Sequence, residues 1–347
     1  MEQLEKPDIR DLLLHDLELW LEYHKEPSYR AGQIWRWLYQ KGEDNFRNFS
    51  DLSFSLRNQL SRDYVIKPLG LEAREISRDG TEKFLFRLHD NNCIETVFIP
   101  FSRHNTVCLS SQVGCRFGCR FCASGLLGLK RNLRASEILA QLLTIKFGEK
   151  KTVHNLVFMG IGEPLDNINE LKKALDVINS RNGVNMGARK ITVSTVGIPQ
   201  GIRDLAQTGK QFELSLSLHA PSDELRQKII PISGKYPLKE ILDALSFYQK
   251  KTKRKVTFEY ILLKDLNDST VQAEQLARLL KGLVAGVNLI PFNSCPEFSY
   301  EPPSRQKILQ FQQILERKGV NVTLRKARGQ DIAGACGQLR IKISATP

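Results

Sequence analysis

From residue 106 to residue 326 the chain repeats one pattern, a short run of β-branched and apolar residues followed by a helical stretch. The strand-like runs are TVCLS (106–110), NLVFM (155–159), KITVS (190–194), ELSLSL (213–218), VTFEYIL (256–262), VNLIPF (287–292) and VTLRK (322–326). Helical periodicity marks 136–147, 171–180, 239–250 and 305–318 among the segments between them. Such alternation implies parallel strands, because each helix carries the chain back across the sheet to begin the next strand. Six or seven units fall short of the eight that close a barrel. The expected fold is α/β, an open, partial parallel barrel of the (β/α)6 type, whose strand-end loops share one edge.

Two smaller elements precede this core. Residues 8–62 read as short helices. In AGQIWRWLYQK (31–41), Ile34, Leu38 and Lys41 fall on one helical row, Trp35 and Tyr39 on another, and Gly42 is a stop signal. Residues 71–100 read as a β meander, with Asp79-Gly80 as a hairpin turn and His89-Asp90-Asn91-Asn92 leading into CIETVFIP. The expected organisation is a helical module over 1–68, a small β extension over 69–100, the core over 101–330 and a tail over 331–347.

No apolar run is long enough to span a bilayer, and the N-terminus MEQLEKPDIRDL is acidic, unlike a signal peptide. These features imply a cytoplasmic protein. There, clustered cysteines are metal or redox sites before they are disulfides. The net charge of +13 is uneven: residues 1–100 hold 14 Lys/Arg against 18 Asp/Glu, and residues 101–347 hold 37 against 20. A basic core attracts a polyanion such as RNA, although a solvated basic face accounts for the charge equally well. In the helical module, Trp35 and Trp37 beside Arg30 and Arg36 are candidates for stacking on bases, and the competing reading is a small helical core.

The stretch SQVGCRFGCRFCASG (111–125) places Cys115, Cys119 and Cys122 at C-x3-C-x2-C spacing just after the first core strand. Soft thiolates suit zinc or an iron–sulfur cluster. A cluster used only for electron transfer takes four cysteines. Three on a four-iron cluster leave one iron open, and an open coordination position marks a catalytic metal site. A zinc site with Cys108 as fourth ligand is the alternative. Other strand ends add polar groups at the same edge: Gly162 and Glu163 in MGIGEPL (159–165), Ser194, then Ser217, Leu218 and His219, and finally Asn293. Glycines let backbone approach a ligand closely, and a carboxylate can hold an ammonium group.

The cysteine spacing, with Phe121 before the last cysteine, resembles the radical S-adenosylmethionine (SAM) superfamily. That resemblance implies a [4Fe-4S] cluster on Cys115, Cys119 and Cys122. Its open iron chelates SAM, and one-electron reduction releases a 5′-deoxyadenosyl radical. It also implies SAM contacts from Gly162, Glu163, Ser194, Ser217, Leu218, His219 and Asn293. More narrowly, CLSSQVGC (108–115), MGIGEPLDN (159–167), SLHAP (217–221), RGQDIAGACGQL (328–339) and SYRAGQIWRWLYQKG (28–42) are similar to the RlmN/Cfr family of RNA adenosine methyltransferases.

The family resemblance implies further roles. Cys336 matches the cysteine that becomes S-methylated, Cys108 its resolving partner in a transient disulfide, and Glu95 a proton acceptor. A solvated carboxylate on a small sheet is the competing reading for Glu95. Adenine C2 is too electron-poor to attack the SAM methyl itself, whereas a thiolate can. Two SAM molecules are then used per turnover, one to load Cys336 and one to activate the S-methyl group. The Pro in GEPL resembles the branch that methylates C2; methylation at C8, by the other branch, is the alternative. Implied partners are 23S ribosomal RNA at the peptidyl-transferase centre, tRNA at the adenosine 3′ of the anticodon, and an electron donor such as flavodoxin. The chain is expected to act as a monomer away from membranes. A non-catalytic RNA-binding protein with a zinc or iron–sulfur site is the contrasting function class.

Overall fold

The computed structural model describes residues 6–126, 128–293, 298–325, 328–329, 331–332 and 337–339. Its strands are β1 (Gly70–Ile76), β2 (Glu82–Arg87), β3 (Cys93–Pro100), β4 (Asn105–Cys108), β5 (Gln112–Gly114), β6 (Leu129–Asn132), β7 (Asn155–Phe158), β8 (Ile191–Thr195), β9 (Glu213–Ser217), β10 (Val256–Leu262), β11 (Ala285–Pro291) and β12 (Asn321–Leu324). All except β5 and β6 join one ten-stranded sheet in the order β1-β2-β3-β4-β7-β8-β9-β10-β11-β12. From β4 to β12 every neighbouring pair is parallel. The order is linear, with β1 and β12 at its ends, so the barrel is open as the repeat pattern implies.

The meander is continuous with the core. It does not stand apart: β3 pairs antiparallel with β4, Val97 opposite Cys108, and extends the same sheet. A tight turn, in which Phe101 N–H donates to His104 O at 2.9 Å, makes this hairpin possible. Strand patterning reports that a segment is extended, not which neighbour it chooses, so the pairing is invisible in sequence.

Alternation along the strands sorts the sheet into two faces. Val107, Leu156, Phe158, Val193, Leu214, Leu216, Phe258 and Leu289 share one face and are buried. They belong to the same core as the apolar faces of helices Ala135–Leu143, Ile168–Asn179, Pro199–Gln207, Leu238–Thr252, Thr270–Leu279 and Arg305–Arg317. Burying each such side chain stabilises by roughly 1.5–3 kcal/mol, so the core sits on the helix side. The opposite face is polar. In register across it lie Cys108 on β4, Ser194 on β8, Ser215 and Ser217 on β9, Glu259 on β10 and Asn288 on β11.

The N-terminal helices Leu14–Tyr23, Arg30–Trp35 and Phe54–Asp63 share the main hydrophobic core. Asp11 Oδ1 accepts a hydrogen bond from Ser136 N–H at 2.8 Å, tying the module to the first core helix. The helix from Arg30 widens into a π-helical turn, Arg36–Lys41, and ends at Gly42. There φ is +68°, and a Cβ would meet Phe147 at 2.2 Å, so only glycine fits. Trp35 is 3% exposed and packs edge-on against Tyr39. It is a core residue, and the base-stacking surface suggested by the sequence loses it. Trp37 stacks on Phe49 at 5.4 Å with Lys41 over its ring, so its aromatic faces are already engaged. Among the described residues no helix is long and apolar enough to cross a membrane.

Candidate active site

Because β4 and β7–β12 run parallel, the loops that follow them emerge at one edge of the sheet. The first is the cysteine loop. β5 leads into it, β6 leads out, and the two pair antiparallel. Gly114 closes its neck: φ is +84°, and a Cβ there would meet Gly128 O at 1.8 Å. Cys115 N–H donates to the same carbonyl at 3.1 Å. Between these points the backbone turns tightly, with Cys122 N–H donating to Cys119 O at 3.0 Å.

The three thiols lie close enough to influence one another. Burial pushes the Cys115 thiol up to about 12, and the nearby Cys122 adds to the rise. Burial raises Cys119 well above the ordinary thiol range, and Cys122 and Cys115 push it further. The desolvated thiols of Cys115 and Cys119 become thiolates only with a strong positive charge beside them, and with Cys122 on the same loop the donor set fits an iron–sulfur cluster. Among the described residues no three His, Cys, Asp or Glu side chains are grouped as ligands of a single metal ion.

The loop after β7 lies flat on the entry to the cysteine loop. Gly160 N–H donates to Leu109 O at 3.0 Å, and Ser111 N–H to Ile161 O at 2.9 Å. A Cβ on Gly162, where φ is +106°, would meet Gln112 N at 2.8 Å. Gln112 Oε1 accepts from Glu163 N–H at 2.8 Å, while its Nε2 donates to Asp166 and Asn132, each at 2.8 Å. The Glu163 carboxylate is buried and accepts from Val196 N–H at 2.8 Å and Leu165 N–H at 3.1 Å. Burial pushes it up to about 7, against the pull of these hydrogen bonds. A buried carboxylate with two amide donors and, among the described residues, no ion-pair partner suits an ammonium group.

Ser194 is the penultimate residue of β8, and Ser217 ends β9, followed by Leu218 and His219. His219 sits at φ +58°, with its ring edge-on to Phe121 of the cysteine loop at 4.8 Å. Its Nδ1 accepts from Ile261 N–H at 3.0 Å, so the neutral ring carries its proton on Nε2. Burial, with a contribution from Arg226, holds it down at about 3. Asn293 follows β11 at the same edge and is half-buried.

Sequence reasoning missed three residues here. Arg226 is 1% exposed and stitches the ends of β8 and β9 together, donating to Leu218 O at 3.1 Å, Ser217 O at 3.2 Å and Val196 O. Burial lowers it to about 10. Gln112 joins the cysteine loop to the loop after β7. Glu259 lies opposite Ser217, and its Oε1 accepts from Ser215 Oγ at 2.7 Å and Asn288 Nδ2 at 3.1 Å. Its buried Oε2 has no hydrogen-bond partner among the described residues. The one available signal was strand alternation, which puts Glu259 on the polar face.

Glu95 and Cys108 lie on that face too. β3 runs antiparallel to β4, with Val97 opposite Cys108, so Glu95, two residues earlier, shares its side near the active edge. Both residues are buried. Ser110 Oγ donates to Glu95 O at 2.6 Å and accepts from Ile161 N–H at 3.0 Å, linking Glu95 to the loop after β7. The Glu95 carboxylate accepts from Lys83 Nζ at 3.1 Å and from Gly337 N–H at 2.8 Å. The solvated-carboxylate reading of Glu95 is therefore wrong, because its side chain is closed in on the sheet. Cys336 lies outside the described residues.

Residues 109–277 match the radical SAM superfamily, and residues 7–66 match the ribosomal RNA large subunit methyltransferase N-terminal domain. A probable dual-specificity RNA methyltransferase RlmN of Bacillus cytotoxicus is 46% identical over 343 residues, 98% of this chain and 95% of the relative. A Bacillus cereus protein of the same description matches with the same identity and coverage. A radical SAM methyltransferase from Sphaerobacter thermophilus, known as a crystal structure, superposes with a TM-score of 0.90 at 41% identity, over 96% of this chain and 98% of that one.

Proposed function

Because the chain belongs to the RlmN family of radical SAM RNA methyltransferases, we propose that it methylates C2 of adenosine in 23S ribosomal RNA, at the peptidyl-transferase centre, and in tRNA, 3′ of the anticodon. The family implies a [4Fe-4S] cluster, SAM and a reductant. The observation that carries the finer reading is the convergence at one sheet edge of the cysteine loop, the buried Glu163, and Cys108 beside Glu95 on the polar face.

Cys115, Cys119 and Cys122 would hold the cluster, and Glu163, with Gly162, Ser194, Ser217, Leu218, His219 and Asn293, would line the SAM site. When bound, cluster and SAM together supply a 5′-deoxyadenosyl radical that removes a hydrogen atom from a methyl group. The chain's own part is nucleophilic. The Cys336 thiolate takes a methyl from one SAM, and a second SAM activates that S-methyl group, so two are used per turnover. The activated carbon bonds to C2. The C2 proton would pass to Glu95, and the one electron released as the aromatic ring is restored would return to the cluster that supplied it. The Cys108 thiolate then attacks the Cys336 sulfur. The sulfur–carbon bond breaks with its pair on carbon, which takes a proton to become the methyl group, and the two cysteines are left as a disulfide. External thiols or a reductase return them to the dithiol. An electron donor such as flavodoxin supplies the radical step, and the enzyme works as a cytoplasmic monomer.

Nucleoside mass spectrometry tests the reading. RNA from a strain lacking this protein should regain 2-methyladenosine on complementation, in both 23S ribosomal RNA and tRNA. 8-Methyladenosine in its place would assign the protein to the other branch.

The raised Glu163 makes SAM binding pH-dependent. Pairing with an ammonium group lowers the carboxyl below its free value of about 7, so binding favours the ionised form. Affinity should therefore rise with pH up to about 7 and level off above it. Below that point it should fall by up to about tenfold per pH unit. His219, held at about 3, does not titrate in this window. Equilibrium dialysis of the reconstituted protein at pH 6, 7 and 8 should give this slope, and Glu163→Gln should flatten it. A flat wild-type profile would remove Glu163 as the ammonium partner.

A further inference from the structure

The C-terminal tail meets the β1–β3 meander at two places, one on each side of residues 333–336. On the N-terminal side, the β1–β2 turn takes hold of it. Asp331 accepts from Ser77 Oγ and from Arg78 N–H, the latter at 2.9 Å. Asp79 Oδ2 accepts from Gly329 N–H at 3.1 Å and lies 3.7 Å from the Arg328 guanidinium, which sits 5.0 Å over the Phe101 ring. On the C-terminal side, the Gly337 N–H donates to Glu95 Oε2 at 2.8 Å, a bond closed off from solvent. Gly337 has φ +88°, and a Cβ there would meet Ser124 N at 2.6 Å, inside the cysteine loop two residues after Cys122. Leu339 beyond it is 2% exposed.

We propose that the β1–β3 meander is the dock of the C-terminal tail, and that Glu95 is a positioning residue for that tail as well as the proton acceptor assigned above. This rests on the reading in which Cys336 carries the methyl group. The β1–β2 turn fixes the tail before residues 333–336, and Glu95 fixes it after them. Lys83 is 1% exposed and ion-paired to the same Glu95 oxygen at 3.1 Å, which keeps the acceptor in place. The contact with Ser124 leaves no room for a side chain, so the position after Cys336 needs glycine for its fit as well as for its φ. The dock also gives the meander a purpose that its pairing with β4 alone does not.

Hydrogen exchange of the full-length, cluster-loaded protein tests the dock without relying on RNA methylation. A buried clasp of this kind suppresses local opening, so Gly337→Ala, Asp331→Ala and Glu95→Ala should each speed exchange in tail peptides spanning 328–339 by about tenfold or more. Peptides of β10 should not change. Glu95→Gln keeps an oxygen that can accept from Gly337 N–H, so it should loosen the tail less than Glu95→Ala. Should Glu95→Ala fail to fold for want of a partner for Lys83, Gly337→Ala and Asp331→Ala decide the matter from the tail's own side. Loss of positioning should also lower the S-methylated fraction of Cys336, read by peptide mass spectrometry, in Asp331→Ala while its iron content stays at the wild-type level. Unchanged tail exchange in every variant, or a rise equally large in β10, would overturn the dock. A wild-type protein that makes no 2-methyladenosine would instead overturn the proposed function and leave the exchange result standing.

Discussion

Cys119→Ala is expected to remove iron and activity together. Three thiolates are the minimum on which a four-iron cluster keeps one iron open, so losing one leaves too few ligands. Cys119 is also the thiol that its neighbours disturb most visibly: burial raises it, Cys122 and Cys115 push further, and Arg226 pulls back. Cys119 stands between Cys115 and Cys122 in the sequence of the loop, so its removal opens the middle of the proposed ligand set. Iron per chain after anaerobic reconstitution, and 5′-deoxyadenosine formed on reduction with SAM, should both fall by more than about 100-fold, beyond the 10–100-fold cost of losing a supporting partner. Cys115→Ala and Cys122→Ala should behave alike. Cys108→Ala should keep its iron, because Cys108 ends β4 and stands outside the loop. A Cys119→Ala protein with wild-type iron would mean that the loop does not hold the cluster, and iron loss in Cys108→Ala would revive a four-cysteine site.

What the sequence made legible follows from what is local. The strand runs at 190–194 and 213–218 alternate polar with apolar residues, and that period of two puts Ser194, Ser215 and Ser217 on one face. The direction of the parallel strands then gathers their ends, so the cysteine loop, Glu163 and His219 were readable as one edge. Contacts made by folding were not readable. Arg226 stands in SDELRQKI, a stretch that looks like any solvated helix start, yet it is buried under three carbonyls of distant strand ends. Lys83 looks like an outward lysine in EKFLFR until β3 brings Glu95 against it. Trp35 reads equally as a stacking surface or as core, and only the packing of Tyr39 decides. The tail contacts at Ser77, Asp79 and Glu95 join residues 254, 250 and 242 positions apart, and the β3–β4 hairpin is a choice of strand partner; no periodicity encodes either.

Cys108→Ala and Cys336→Ala should fail at different points, with RNA held on one protein and not on the other. On the proposed mechanism Cys336→Ala has no methyl carrier, so nothing bonds to C2 and the RNA stays unmodified. Cys108→Ala still loads Cys336, still bonds to C2, and still has Glu95 on its sheet to take the C2 proton. It lacks the thiolate that attacks the Cys336 sulfur, so a methylene bridge should keep protein and RNA joined. The placement of the resolving residue supports this division. Cys108 shares a sheet face with Glu95, and Glu95 accepts from the N–H of Gly337, the residue after Cys336. Cys108 and the residue that follows Cys336 in the chain are thus both tied to Glu95 and its sheet. A small-molecule thiol competes poorly with a thiol held this way, since well-oriented internal groups reach effective concentrations on the order of 10⁵ M or more. The adduct should therefore accumulate in cells expressing Cys108→Ala. After nuclease treatment, a denaturing gel should show a shifted band for that variant alone, and mass spectrometry should place the nucleotide on the peptide containing Cys336. The double variant should show no shift, because the carrier is gone. A shift in both single variants, or in neither, would mean that the two cysteines do not divide the work in this way.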